Sequence, residues 1–454
     1  MAGRIAYLGN VSAQGLVLNL DAAIQGSYPK TGSLWTDISG NNNNGTLTNG
    51  PAYTGSDYGA IVFDGVDDYA VISSSAILAP RTGEFTVDSW VNPGNTGSFS
   101  PLFVANSTNG IFFGWGATGG GNNFVIRAYN VANRLQYSTL PVKNQWTNIV
   151  GNKVGNTLNL YYNGTPVQSA TSTQDFIQSD VYIGSDGYPS APVLYTGQIA
   201  TTKYYNTGLS QFQVWQNFNA YKSRYGIPDI VTDGLVLNLD AGNPYSYLSG
   251  SSGTTWTNTV AASSSISGTL VNGPVYRNGA IAFDGTNDYV SIPAHPTSSG
   301  LTLSFWAYIP STLGTLPTLI GDGSQSNTVG YIWIYRSDIN QVTWQFATNT
   351  ARGLINDSTI FAGSLNSWAN YVFVADYTNY PSGSLTTYKN GVLSTTTTFP
   401  NVQIPLSRTR FIGSYDGGLF NLSGSISSYL EYDKALTQAE ITQNFNALRG
   451  RYGI

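Results

Sequence analysis

The sequence contains the same text twice. Gly15–Ala22 reads GLVLNLDA, and Gly234–Ala241 repeats all eight letters. Further blocks follow in the same order. AIVFDGVDDYAVI from Ala60 matches AIAFDGTNDYVSI from Ala280, and FTVDSWVNP from Phe85 matches LTLSFWAYIP from Leu301. YYNG at Tyr161 matches YKNG at Tyr388, and NFNAYKSRYGI, closing at Ile227, matches NFNALRGRYGI, closing at Ile454. The offset drifts from 216 to 229, so loops differ in length while the order of elements is kept. A duplicated unit of about 220 residues is a whole domain, not one turn of a solenoid. The reading is two domains, 11–227 and 234–454, a linker at 228–233, and an N-terminal arm at 1–10. Pro228 closes the first domain because it disfavours helix in the residue before it.

Each repeat reads as β-sandwich. Leu16, Leu18 and Leu20 alternate with Val17, Asn19 and Asp21, and Phe85, Val87 and Ser89 alternate with Thr86, Asp88 and Trp90. Period-two runs separated by turn residues at short intervals have that meaning. Asp64-Gly65, Asn163-Gly164 and Asn390-Gly391 are hairpin-turn dipeptides. Only the end of each repeat has helical spacing. Ser210 with Gln213, and Thr437 with Glu440, form capping boxes. Val214, Phe218 and Tyr221 follow on one face, as do Ile441, Phe445 and Leu448. The fold class is all-β: two tandem antiparallel jelly-roll sandwiches, each ending in a short helix.

Composition narrows the chemistry. Charged residues are 9% of the chain, against roughly 25% in an average soluble protein. No Lys/Arg cluster exists, which argues against nucleic-acid binding by counterion release. There is no Cys and a single His, His295, so thiolate chemistry and a multi-histidine zinc site are excluded. His295 lies between Ala294 and Pro296 and reads as a surface loop histidine. No apolar run reaches the length of a signal-peptide core or a membrane span.

The motif set LVLNLDA, SGNNNNGTL, NGP, FDGxxDY and YxNG resembles the laminin-G-like domains of the concanavalin A-like lectin/glucanase superfamily, over nearly the whole chain and twice over. The opening RIAYLGN and closing NFNA…RYGI are similar to structural proteins of tailed phages of the cyanophage type. The resemblance implies two curved antiparallel sheets per domain, binding of carbohydrate or protein at surfaces, and in many members a structural calcium ion.

Candidate sites follow. Catalysis by a retaining glucanase needs two carboxyl groups about 5–5.5 Å apart. In this superfamily they usually share one strand as ExDxxE. The chain has three Glu residues and no such motif. Glu84 precedes a strand, and Glu431 and Glu440 are expected at the closing helix. No catalytic residue is assigned, and the chain is expected not to be an enzyme. Asp64, Asp67 and Asp68, with Asp284, Asn287 and Asp288, place several oxygens on tight loops. They suit either calcium or self-bonded turns. Asn41, Asn42, Asn43 and Asn44 suit sugar hydroxyls or a plain loop. Tyr188 and Tyr415, beside matched IGS turns, are candidate exposed stacking residues for sugar. Trp115, Trp333, Tyr335 and Trp344 are expected in the core or an interface.

The functional expectation is a virion accessory protein, on capsid or tail, displaying lectin-like domains to host-surface glycans. Arg4, Ile5, Tyr7 and Leu8 would dock it on other virion proteins, in a homo-oligomer with a trimer as one form. A free-standing lectin is the alternative, and a cryptic glycanase the third.

Overall fold

The computed structural model describes residues 11–454 except 57, 96–98, 106–108, 117–122, 129–133, 178, 189, 191, 249–252, 296–299, 313–315, 324–330, 339–340, 348–351, 379–381 and 401–407. The expected docking residues Arg4, Ile5, Tyr7 and Leu8 lie outside the described residues. The chain divides into two compact units. One runs to Ile227 and takes in Arg449–Ile454; the other is Pro228–Leu448.

Each unit stacks two antiparallel sheets. In the first, one sheet runs Thr165–Thr171, Thr157–Tyr162, Thr147–Val154, Phe85–Pro93, Thr196–Tyr205, Ala60–Asp64, Ala52–Thr54. Leu16–Asp21 joins it on the far half of Thr196–Tyr205, beyond the residues that pair with Ala60–Asp64. The facing sheet runs Arg134–Tyr137, Phe124–Ala128, Ile111–Trp115, Ser100–Ala105, Val181–Ile183, Tyr69–Ile72, Gly45–Thr48, Leu34–Trp35. The second unit repeats both orders, with Ser423–Tyr432 in the place of Thr196–Tyr205.

The expected alternation is present but lies under cover on both faces. Phe85 and Val87 enter the core between the sheets, while Trp90 points outward and is still buried. The closing helix Gln211–Tyr221 explains this. It lies on that outer face through Phe218 and Tyr221, joined by Tyr225. Its capping box forms in full: Gln213 N–H reaches the Ser210 hydroxyl, and the Gln213 side chain accepts from Ser210 N–H. The helix Gln438–Leu448 has the same box, made by Thr437 and Glu440.

Two turn dipeptides are hairpins as read. Asn163-Gly164 (φ 47° and 75°) joins paired strands, and Asn390-Gly391 (φ 51° and 76°) does so in the second unit. Both are left-handed at the two central positions, as a type I′ turn requires. Asp64-Gly65 is a correction: it carries the chain from Ala60–Asp64 in one sheet to Tyr69–Ile72 in the other. The segment 228–233, read as a linker, is anchored to the second unit. Val231 is buried in the second unit, and its N–H donates to Asn444 Oδ1 at 2.8 Å. Ser12 N–H does the same to Asn217 Oδ1, also at 2.8 Å, in the first. Among the described residues no helix is long and apolar enough to cross a membrane.

Candidate functional site

The three glutamates are all committed to structure. Glu84 accepts the N–H groups of Gly155 and Gly208 at 2.9 and 3.3 Å and pins two loops. Glu440 closes the second capping box and takes Lys434 Nζ at 2.7 Å. Glu431, expected beside the closing helix, instead lies in the strand Ser423–Tyr432 and faces the core. It is fully buried against Arg410 Nη1, His295 Nε2 at 2.8 Å and the Tyr429 hydroxyl at 2.6 Å. His295 is therefore another correction. It is 1% exposed, not a surface histidine. Burial alone would raise the Glu431 pKa, but Arg410 and His295 hold it down at about 2.

The two aspartate loops close on themselves. Asp64 Oδ1 accepts Val66 N–H at 2.7 Å, and Asp68 Oδ2 accepts Asp64 N–H at 3.1 Å. Asp284 and Asp288 repeat this pattern with Thr286 and Asp284 at 2.7 and 3.0 Å. These backbone donors hold Asp64 and Asp284 below the usual carboxylate range, while burial pushes Asp68 and Asp288 up. In the first loop the carboxylates of Asp64, Asp67 and Asp68 come within 4.8 Å of one another. The second loop has the neutral Asn287 where the first has Asp67, so its donor set is poorer for a hard cation.

The Asn run is mostly scaffold. Asn43 is buried and donates to the Val17 carbonyl at 2.7 Å, and Asn44 Oδ1 accepts Asp37 N–H at 2.9 Å. Asn41 and Asn42 are exposed, Asn42 with φ 61°. In the second repeat Asn258 does the bracing done by Asp37, accepting Asn238 N–H at 2.9 Å.

Tyr188 is 45% exposed. Tyr415 is not: it is 5% exposed and packs on Trp333 at 4.5 Å. The strand registers place Tyr415 at the position of Asp186, so the two tyrosines are not equivalents. Trp115 and Trp344 are core, as expected. Trp333 and Tyr335 stack at 4.1 Å on the outer side of their strand, while Ile332 and Ile334 face the core.

That stack leads to a feature the sequence did not announce. Phe420 (φ 57°) also stacks on Trp333, at 5.4 Å, and lines a recess of ≈ 360 Å³ in the second sandwich. Ile309, Pro310 and Leu422 give it apolar walls, and Arg336 and Asn421 give it polar ones. Asn421 Nδ2 donates to the carbonyls of Thr286 at 2.6 Å and Gly418 at 3.2 Å. Its Oδ1 is buried and has no partner. The Asp284–Asp288 loop contributes Gly285 to the lining, and Tyr415 packs on the aromatic rings, while Asn41–Asn44, Tyr188 and Asp64–Asp68 belong to the other unit. Four distant chain segments make the recess, which is why no single motif marks it.

Two stacked antiparallel sheets and a closing helix in each unit define a protein of two tandem β-sandwiches. The sequence matches the family described as the concanavalin A-like lectin/glucanases superfamily over residues 64–215 and 284–442. The chain belongs to that family. No curated protein sequence matches it. Among solved structures, the binding domain of Paraclostridial Mosquitocidal Protein 1 is 13% identical, with 89% of this chain and 98% of that one covered and a TM-score of 0.38. The binding domain of Botulinum Neurotoxin DC, solved with SialylT, is 10% identical over 88% and 99%, at 0.37. Domain 4 of AbnA, an arabinanase from Geobacillus stearothermophilus solved with arabinotriose, is 17% identical over 44% and 97%, at 0.35.

Proposed function

We propose that the chain is a non-enzymatic carbohydrate-binding display module, and that its place is the surface of a tailed-phage particle. The binding reading is carried by the recess of the second sandwich, which offers an aromatic ring, apolar walls and polar lining residues. Sugars have matching surfaces: an apolar C–H face and hydroxyls at the edge. Absence of hydrolysis is supported by the glutamates, each already held by a cap, a pair of loops or a buried cation. The phage placement rests on the RIAYLGN and NFNA…RYGI resemblance alone. Weak sites suit such display, because many copies on one particle multiply a modest affinity. On a glycan panel the full chain is expected to bind a limited set of sugars without cleaving them. Reducing ends appearing during incubation, or a blank panel, would contradict this reading. Mass spectrometry of purified particles tests the placement, and absence of the chain from every particle would leave a free-standing lectin.

We also assign a structural calcium ion to the first loop alone, held by Asp64, Asp67 and Asp68. Millimolar calcium is expected to raise the melting temperature of the wild-type chain and to leave Asp67→Asn unaffected. Equal responses in scanning calorimetry would reduce the first loop to the same self-closed turn as the second.

A further inference from the structure

We infer that the edge strand Val392–Pro400 of the second sandwich pairs antiparallel with the same strand of a second copy, joining two chains in a twofold dimer. The strand ends its sheet, with Ser382–Lys389 as its one described neighbour. Its other side therefore presents a row of backbone N–H and C=O groups, and such a row is a template for another strand. Near the turn, Ser394 reaches across to the Thr359 hydroxyl at 3.5 Å. Beyond it, Thr396, Thr397 and Thr398 are all exposed.

The second observation is how this edge differs from the others. Proteins blunt sheet edges by making them short, charging them or placing proline in them. The other ends of the described sheets follow that practice. Ala52–Thr54 and Val275–Arg277 have three residues, and Leu34–Trp35 and Thr255–Trp256 have two. Arg134–Tyr137 begins with arginine, and Arg352–Asp357 carries a charge at each end. Thr165–Thr171, the counterpart in the first sandwich, contains Pro166, and its Gln168 side chain donates to the Gln136 carbonyl at 3.3 Å. Val392–Pro400 has nine residues, no charge, and no proline before its last position.

The letters of the edge select its occupant. Turned end for end about Thr396, VLSTTTTFP sets Thr396 opposite Thr396, Thr395 opposite Thr397 and Ser394 opposite Thr398. Hydroxyl residues then meet hydroxyl residues, and Thr–Thr and Thr–Ser pairs across strands are favourable. The edge has no charge to recruit a charged peptide and none to repel its own copy. Val392 and Leu393, 67% and 52% exposed at the turn end, lie where the far end of an antiparallel neighbour runs. A twofold contact uses the edge once in each copy, so assembly closes at two chains. The blunted edges elsewhere add no further strand pairing.

The chain has no cysteine, so a single introduced thiol reports on one position. Thr396→Cys, Thr397→Cys and Thr398→Cys are made singly in the full chain, with Thr171→Cys, exposed on the edge of the first sandwich, as control. Mild oxidation with copper phenanthroline is expected to link two chains in at least one of the first three and not in the control. Sedimentation velocity of the wild-type chain should show a dimer. Thr396→Lys should raise its dissociation constant roughly tenfold or more, because it sets two ammonium groups side by side. Thr171→Lys should leave the dimer as it was. If Thr396→Lys fails to fold, the smaller threonine-to-cysteine changes carry the test alone. A chain that stays monomeric at every concentration overturns the inference. So does a dimer that Thr396→Lys leaves intact and that none of the three cysteines links. Linkage of Thr396→Cys to Thr171→Cys in a mixture of the two variants would give the edge to the first sandwich of another copy, and would equally overturn self-pairing.

Discussion

Glu431→Ala is expected to destabilise the second sandwich by about 3–5 kcal/mol, the cost of leaving a buried cation without its counter-charge. Arg410 and Glu431 are both essentially unexposed, and His295 completes the cluster. Calorimetry should show this as a fall of one of two transitions, since the chain has two units that need not melt together. The repeat provides its own control. The strand registers put Tyr204 at the position of Glu431 and Val181 at that of Arg410. In the first sandwich Tyr204 simply stacks between Phe85 and Phe103, at 6.3 and 5.6 Å. Replacing the pair together, as Glu431→Tyr with Arg410→Val, should therefore cost less than Glu431→Ala alone. An equal or larger loss would mean the ion cluster is a net stabiliser in itself. The same cluster sets an acid limit. The folded Glu431 pKa, at about 2, is below the ordinary 4.5, so its contribution is present above pH 4.5 and disappears as pH falls toward 2. The loss is on the order of 3 kcal/mol, and Glu431→Gln should flatten that part of the pH profile.

Trp90→Ala is expected to cost about 3–5 kcal/mol and to release the first closing helix. The Trp90 ring stacks on Tyr225 at 4.2 Å and on Phe218 at 5.9 Å, so one side chain holds both the helix and the turn after it. Trp146 touches Tyr225 as well, at 4.8 Å, but contacts a single ring of this group. Far-ultraviolet circular dichroism should lose its small helical component before the sheets melt. Coincident loss of helix and sheet would instead make the helix an inseparable part of the sandwich.

The elements that repeat were legible from sequence, and the reasons are physical. Capping boxes, Asn-Gly turns and period-two strands are local, so neighbouring letters contain them. What escaped was non-local or broke the pattern. Glu431 is a carboxylate on the core side of a strand, which contradicts the usual patterning. Only Arg410, His295 and Tyr429 make it tolerable, and His295 is 136 residues away. His295 looked exposed for the same reason. Tyr415 looked exposed because it follows a turn, yet that turn places it on Trp333. The Asn run and the aspartate loops were found as motifs, but which of their atoms are already bonded was not readable from residue type. Phe420 and Asn421 carried no signal, since the recess exists only once four segments meet.

The buried amides of Asn217 and Asn444 have a consequence for how such a chain could arise. Each joins the entry of its repeat, at Ser12 or Val231, to the exit helix of the same repeat. Start and finish of one sandwich are stapled to each other by a single side chain. A module whose ends meet can be copied in line, with almost no connecting chain, without disturbing its interior. It also makes a natural candidate for circular permutation, with new ends cut at a hairpin such as Asn163-Gly164 and the old ones fused. The asparagine in each NFNA motif then reads as a clasp, retained in both copies while the interiors diverged, one toward stacked rings and the other toward a buried ion cluster.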